Sequence, residues 1–225
     1  IAAGLDLNTA DIETVTIKTT TNAESVDLSG LAMTTAGEVM TLKLTGDKAL
    51  TASATNADIT TIDASGMSTG GSFIQTGRSA TATVNYTGSA GDDTFIMTKS
   101  GDVIAAGAGT GDTLDIDLAA ILGGLHVDLT AADQVVTFNG SATSGTVTGF
   151  ENVDASGYTN GSALITGTKA ANTLTGTGAV DQIDGGAGAD VITGGAGIQQ
   201  LSALPTITCF NGSHSFQLLT IVFFM

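Results

Sequence analysis

Acidic and amide side chains recur at a fixed spacing in two stretches of this chain. From Gly167 the sequence divides into four blocks of nine, GTKAANTLT, GTGAVDQID, GGAGADVIT and GGAGIQQLS, which start at Gly167, Gly176, Gly185 and Gly194. The first column is always Gly, the sixth holds Asn172, Asp181, Asp190 and Gln199, and the eighth holds Leu174, Ile183, Ile192 and Leu201. A second cluster begins at Gly88 with GSAGDDTFI, continues from Met97 as MTKSGDVIA, and after one extra residue resumes from Gly107 as GAGTGDTLD. Its sixth column is Asp93, Asp102 and Asp112, and its eighth is Phe95, Ile104 and Leu114. Consecutive blocks in register are the signature of a repeat architecture.

The chemistry of such columns is oxygen ligation. The Gly-rich half of each block suits a tight turn, and the second half suits a very short strand whose eighth residue points inward. Two blocks then make one lap of a flattened roll, and laps stack about 4.8 Å apart, which sets the carboxylates of one lap above those of the next. Two unit charges at that separation repel by about 3.5 kcal/mol at an effective dielectric of 20, or about 0.9 kcal/mol in water. An acidic stack of this kind calls for a counterion. Asp side chains and turn carbonyls offer only oxygen, in flexible geometry, which favours Ca²⁺ over Zn²⁺ or Mg²⁺. The candidate metal ligands are Asp93, Asp102, Asp112, Asn172, Asp181 and Asp190 in the sixth column. Gly88, Gly91, Gly176, Gly185, Gly186, Gly188, Gly194 and Gly195 join them at the turns.

The rest of the chain must position these corners, and its composition says how. Of 225 residues 31 are Gly, 38 are Thr, one is Pro and none is Trp, and only 4% are aromatic. A thick core of large side chains cannot be built from this, whereas thin layers of small and β-branched residues can. Apolar residues make up 42%, too many for the low hydrophobicity of a disordered chain. Alternating stretches such as Val15-Thr16-Ile17, Met40-Thr41-Leu42-Lys43-Leu44 and Leu114-Asp115-Ile116-Asp117-Leu118 read as half-buried strands, punctuated too closely for ordinary helices. The fold class expected is all-β, an elongated parallel β-solenoid or β-roll with calcium-binding nonapeptide turns. Two brief helical exceptions are expected, at 117–123 and 130–134, the latter with Thr130 as N-cap.

A longer duplication frames the nonapeptides. Ile62-Asp63-Ala64-Ser65-Gly66 and Val153-Asp154-Ala155-Ser156-Gly157 each precede one cluster. Asp63 and Asp154 are expected to close Asx-type turns, and Asp115, Asp117 and Asp128 to lie on solvated strand faces. Met33, Met40 and Met67 read as core filler, and His126 as an outward strand residue. The expected organisation is a Thr/Ala-rich β-solenoid region at 1–87, a first nonapeptide cluster at 88–115, a strand-rich spacer at 116–166, a second cluster at 167–201 and an atypical hydrophobic tail at 202–225.

Gly185 to Thr193 matches GGxGxDxUx, with U a large apolar residue, at every specified position, and Gly88 to Ile96 matches except at Ser89. These blocks resemble the RTX calcium-binding repeats. The resemblance covers about a quarter of the chain, and Asn172, Gln199, Ala170, Thr177 and Ala179 depart from the motif. The surrounding Thr, Ala and Gly-rich sequence with its DASG turns resembles the carboxy-terminal regions of Gram-negative surface-layer proteins exported by type I secretion. That resemblance implies an extracellular, cell-surface structural protein that folds on Ca²⁺. Self-association or an envelope polysaccharide would then be its partner. The alternatives are the repeat domain of a secreted adhesin, or that of a type I-secreted hydrolase whose catalytic domain lies outside this chain.

Other function classes fare poorly. Six Lys plus Arg against 22 Asp plus Glu give a formal charge of −16, which excludes a phosphate-neutralising, nucleic-acid-binding surface. No run of 18 apolar residues is present, so no membrane span is expected. The two histidines, His126 and His214, stand outside any HExxH-type pair, Cys209 has no nucleophile context, and Arg78 is the sole Arg. The chain is therefore read as not an enzyme. It opens on Ile1 without a basic segment followed by an apolar stretch, so no amino-terminal signal peptide is expected and the chain reads as internal to a longer protein. From Leu201 onward come the only Pro, the only Cys and four of the eight Phe. This end reads either as a cap with an uncleaved export signal or as an out-of-frame, non-native end.

Overall fold

A computed structural model describes residues 7–9, 13–20, 24–27, 31–33, 39–53, 59–74, 83–97, 99–117, 123–159, 161–197 and 200–210. For 7–9, 24–27, 31–33, 52–53, 71–74 and 200–210 it describes the backbone alone. The described residues are all-β and contain no helix. They form two compact units, one of residues 1–96 with 101–112 and one of residues 97–100 with 113–225.

In the first unit the strands are β1 (Leu7–Thr9), β2 (Thr14–Thr19), β3 (Glu24–Asp27), β4 (Leu31–Met33), β5 (Met40–Gly46), β6 (Leu50–Ser53), β7 (Ile59–Met67), β8 (Gly71–Ile74), β9 (Asn85–Thr87), β10 (Thr94–Met97) and β11 (Val103–Ala105). From β5 on, successive strands go alternately to two sheets. One sheet runs β2-β5-β7-β9-β11 and the other β3-β6-β8-β10, every pairing parallel. Parallel neighbours normally need a helical crossover. Here the strand of the opposite sheet is the crossover, which is why short Gly and Asn turns suffice. Register stacks Leu42, Ile62, Tyr86 and Ile104 into one buried column. Met40 and Met67 are buried with them, as core filler should be.

The second unit contains β12 (Thr113–Ile116), β13 (Leu125–Asp128), β14 (Val135–Phe138), β15 (Ser141–Ala142), β16 (Val147–Thr148), β17 (Asn152–Asp154), β18 (Ala163–Thr166), β19 (Thr173–Thr175), β20 (Gln182–Thr193) and β21 (Gln200–Phe210). Strands β12, β17, β19 and the end of β20 pair in parallel, stacking Leu114, Val153, Leu174 and Ile192. Strands β13, β18 and the start of β20 do likewise, stacking Val127, Ile165 and Ile183. All seven side chains are at most 1% exposed, so the eighth column of the nonapeptides forms the core that its spacing predicts.

Three expectations are corrected here. Residues 130–134 are turn, not helix: the Thr130 N–H and Oγ1 both donate to Asp128 Oδ1, at 2.9 and 2.6 Å, so an Asx turn two residues upstream claims the side chain read as an N-cap. Of the helix expected at 117–123, residues 118–122 lie outside the described residues. The spacer is also not parallel throughout, because β13, β14 and β15 form an antiparallel meander. Its tip, Asn139-Gly140 with φ of 58° and 70°, has the two positive φ angles of a type I′ hairpin. Lastly, the Gly-rich half of the third block is a corner inside one strand and not a turn between two: β20 runs through it, with the expected positive φ at Gly186 and Gly188 and a register shift between Asp184 and Ala187.

Candidate metal centre

The two nonapeptide clusters fold by the same rule. In the second, each block lies beside the block two further on: Leu174 pairs with Ile192, and Ile165 with Ile183. Nonapeptides thus stack 18 residues apart, two to a lap, and the glycine corners of consecutive laps come into contact. A Cβ built on Gly167 would lie 2.4 Å from Gly185 O, one on Gly176 3.0 Å from Gly194 O, and one on Gly88 1.6 Å from Ala106 O. Gly88 and Gly167 are therefore required by close approach of the next lap's carbonyl, and Gly176 also by the side chains of Asp181 and Ile183 in its own block.

The sixth column is buried, not exposed. Asp93, Asp102, Asp112, Asn172, Asp181 and Asp190 are all at most 2% exposed. Much of the compensation sought from a counterion comes from main-chain N–H groups one lap away. Asp190 Oδ1 accepts from Asn172 N at 3.0 Å, Asp181 Oδ1 from Ala163 N at 2.7 Å, Asp112 Oδ1 from Asp93 N at 2.7 Å and Asp102 Oδ1 from Val84 N at 3.1 Å. A buried carboxylate held this way joins consecutive laps.

Three blocks add a second, local contact. Ser89 N donates to Asp93 Oδ2 at 2.6 Å, Thr168 N to Asn172 Oδ1 at 2.7 Å and Thr177 N to Asp181 Oδ2 at 2.8 Å. The same hydroxyls accept an N–H two residues on, from Gly91, Ala170 and Ala179. In the third block Gly186 stands in this place with φ of 78°, and its N–H turns to Asp184 Oδ1 at 3.1 Å. Asp190 Oδ2 is left buried with no hydrogen-bond partner among the described residues.

Burial raises the Asp190 carboxyl above its ordinary value; the Asn172 N–H opposes this and the negative charge of Asp184 adds to it. Burial likewise raises Asp181, against the pull of the Ala163 and Thr177 donors. A buried carboxylate oxygen without a donor fits a bound cation. The corner around it is rich in main-chain oxygen: Cβ atoms on Gly186 and Gly188 would meet Thr168 O at 2.1 Å and Ala170 O at 2.7 Å. Among the described residues no three His, Cys, Asp or Glu side chains gather in a way that could hold a metal. A cation beside Asp190 would therefore draw on turn carbonyls, the donor set of hard Ca²⁺.

Of the other acidic residues, Asp63 and Asp154 close the expected Asx turns, accepting from Ser65 N at 3.0 Å and Ser156 N at 2.9 Å. The Ser65 hydroxyl, above all, holds the Asp63 carboxyl below its ordinary value. Asp115 is less solvated than its alternation with apolar residues predicts. It lies beside Asp154 in the β12-β17 ladder, and burial, then the charges of Asp154 and Asp117, push its pKa up to about 6. His126 alternates with buried Leu125 and Val127 and is partly exposed. Met33 and Leu201 have side chains outside the described residues, as does Gln199 altogether.

These features define an all-β chain with glycine corners and buried acidic columns. Residues 166–198 match the family of RTX calcium-binding nonapeptide repeats in four copies. The chain thus carries RTX repeats, which bind calcium and occur in secreted proteins. No curated protein and no solved structure matches it. Among the described residues no helix is long and apolar enough to cross a membrane.

Proposed function

We propose that this chain is a calcium-stabilised, non-catalytic structural segment of an extracellular protein, wound as a parallel β-roll and assembling in a bacterial surface layer. The observation that carries this reading is the stacking of nonapeptides 18 residues apart, with glycine corners in contact and a carboxylate column inside. Pairing of successive strands alternately into two parallel sheets supports a roll that continues beyond the nonapeptides themselves. In the cytosol, where calcium is scarce, the formal charge of −16 opposes closure and keeps the chain competent for export. Outside, each ion at ten times its Kd adds about 1.4 kcal/mol, a substantial share of the stability of an ordinary domain. Self-association or an envelope polysaccharide then serves as partner.

Circular dichroism titrated with Ca²⁺ and then chelator tests the folding role: strand signal should rise and fall with the metal, and a signal indifferent to both would refute it. Electron microscopy after calcium addition tests the assembly role. Ordered two-dimensional lattices are expected, whereas persistent monomers that bind on a glycan array would replace the surface layer with an adhesin.

A further inference from the structure

We infer that the second residue of each nonapeptide sorts the array into two classes, blocks locked by their own backbone and blocks open to a cation. This rests on the calcium reading above and specifies which carboxylates serve it. A Ser or Thr at the second place keeps an ordinary negative φ, for Asn139 is the one described non-Gly residue with a positive φ. Its N–H then points at the sixth side chain four residues on, and its hydroxyl accepts from the fourth residue, so the turn closes on itself. Ser89 with Asp93, Thr168 with Asn172 and Thr177 with Asp181 all do this. Thr177 Oγ1 adds a further bond to Asp181 Oδ1 at 2.7 Å.

A Gly at the second place takes the left-handed conformation that Ser and Thr avoid. At Gly186 this rotation removes the N–H from the sixth side chain, and the independent result is the unpartnered Oδ2 of Asp190, on a residue 1% exposed. A desolvated carboxylate oxygen without a donor is costly until an ion or proton meets it. The locked blocks carry no such demand. The rule is specific to a hydroxyl-bearing second residue: Ala108 gives its N–H to Ser89 O. Thr177, which departs from the motif, thus exchanges a cation site for a metal-independent closure. Fewer ions than repeats follow, with Asp190 the described position in 166–198 that takes one.

Isothermal titration of the full chain with CaCl2 tests this through stoichiometry. Asp190→Asn should bind one calcium fewer than the unaltered chain, Asp181→Asn the same number, and Thr177→Gly one more, by opening Asp181. Loss of an ion in Asp181→Asn, retention of all ions in Asp190→Asn, or no gain in a folded Thr177→Gly would each overturn the sorting. The two Asp→Asn variants decide the matter should Thr177→Gly fail to fold. An unaltered chain that takes up no calcium at millimolar concentration would remove the calcium reading itself, a result distinguishable from uptake spread evenly over Asp181 and Asp190.

Discussion

Replacing Asp190 by Asn should raise stability without calcium and lose that advantage with it. Without metal, Oδ2 is buried and lacks a donor, and such a group costs on the order of 1–3 kcal/mol. The amide removes the charge and brings an N–H that a preceding lap can accept. Asn172 already does this in the sixth column: its Oδ1 accepts from Thr168 N at 2.7 Å while its Nδ2 donates to Glu151 O at 2.6 Å. The bond between Asn172 N and Oδ1 of residue 190 survives the substitution. In excess chelator the variant should therefore be more stable than the unaltered chain by about 1–2 kcal/mol. With Ca²⁺ at ten times Kd the unaltered chain gains about 1.4 kcal/mol from the ion at this corner, and the variant does not. The advantage should shrink to nothing or reverse. Urea unfolding followed by circular dichroism, in chelator and in millimolar CaCl2, reads both differences. Equal destabilisation of the variant in the two conditions would refute the reasoning, because it would mean that the carboxylate is fully satisfied without metal.

Three further outcomes follow from the same geometry. Asp181→Ala leaves Ala163 N and Thr177 N without their acceptor in a buried corner, and should lower stability by about 2–4 kcal/mol whether or not calcium is present; a loss seen in calcium alone would count against the lock. Gly176→Ala would set a Cβ 2.6 Å from Asp181 Oδ2 and 2.9 Å from Ile183 Cδ1. It should cost about 1–3 kcal/mol, and unchanged thermal unfolding would count against close packing of that glycine on the side chains of its own block. Asp115 binds more protons folded than unfolded between its ordinary 3.8 and about 6. Its contribution to stability therefore declines as pH rises through that window, and the penalty is complete above it. Solvent screening of this half-buried group reduces the effect to about 1–2 kcal/mol. Asp115→Asn should flatten that part of the slope in urea midpoints measured across the window, and an unaltered slope would refute the raised carboxyl that burial, then Asp154 and Asp117, produce.

The parts of the structure set by period were legible, and those set by competition between local hydrogen bonds were not. Spacing alone places Phe95, Ile104, Leu114, Leu174, Ile183 and Ile192 inside, because a nine-residue repeat with two blocks per lap leaves one inward position at each short strand. The Asx turns at Asp63 and Asp154 were legible for a similar reason, since Asp followed two residues later by Ser is a self-contained device. Thr130 was misread because a Thr that caps a helix and a Thr that donates into an Asx turn look alike until the upstream Asp128, the acceptor, is considered. The hairpin at Asn139-Gly140 carried its own signal, an Asn-Gly pair between Val135–Phe138 and Ser141, which the parallel pattern on either side obscured. Burial of the sixth column was hidden because Asp reads as polar; only the register reveals N–H groups one lap away that make an interior carboxylate tolerable.

The departures from the motif then acquire an electrostatic sense. Asn172 and Asp190 occupy the same column one lap apart, joined by a 3.0 Å bond from Asn172 N to Asp190 Oδ1. A second carboxylate at position 172 would face Asp190 at about the strand spacing and repel it by about 3.5 kcal/mol at an effective dielectric of 20. The amide keeps the acceptor for Thr168 and supplies a donor to Glu151 while adding no charge. In the first cluster Asp93 and Asp112 stand one lap apart with both carboxyl groups kept, and there Ser89 N and Asp93 N each donate to one of them. Neutral substitution and backbone donation are thus two solutions to one repulsion. A cation is the third, and among the described residues of 166–198 it is needed where Gly186 has withdrawn the N–H that would otherwise serve.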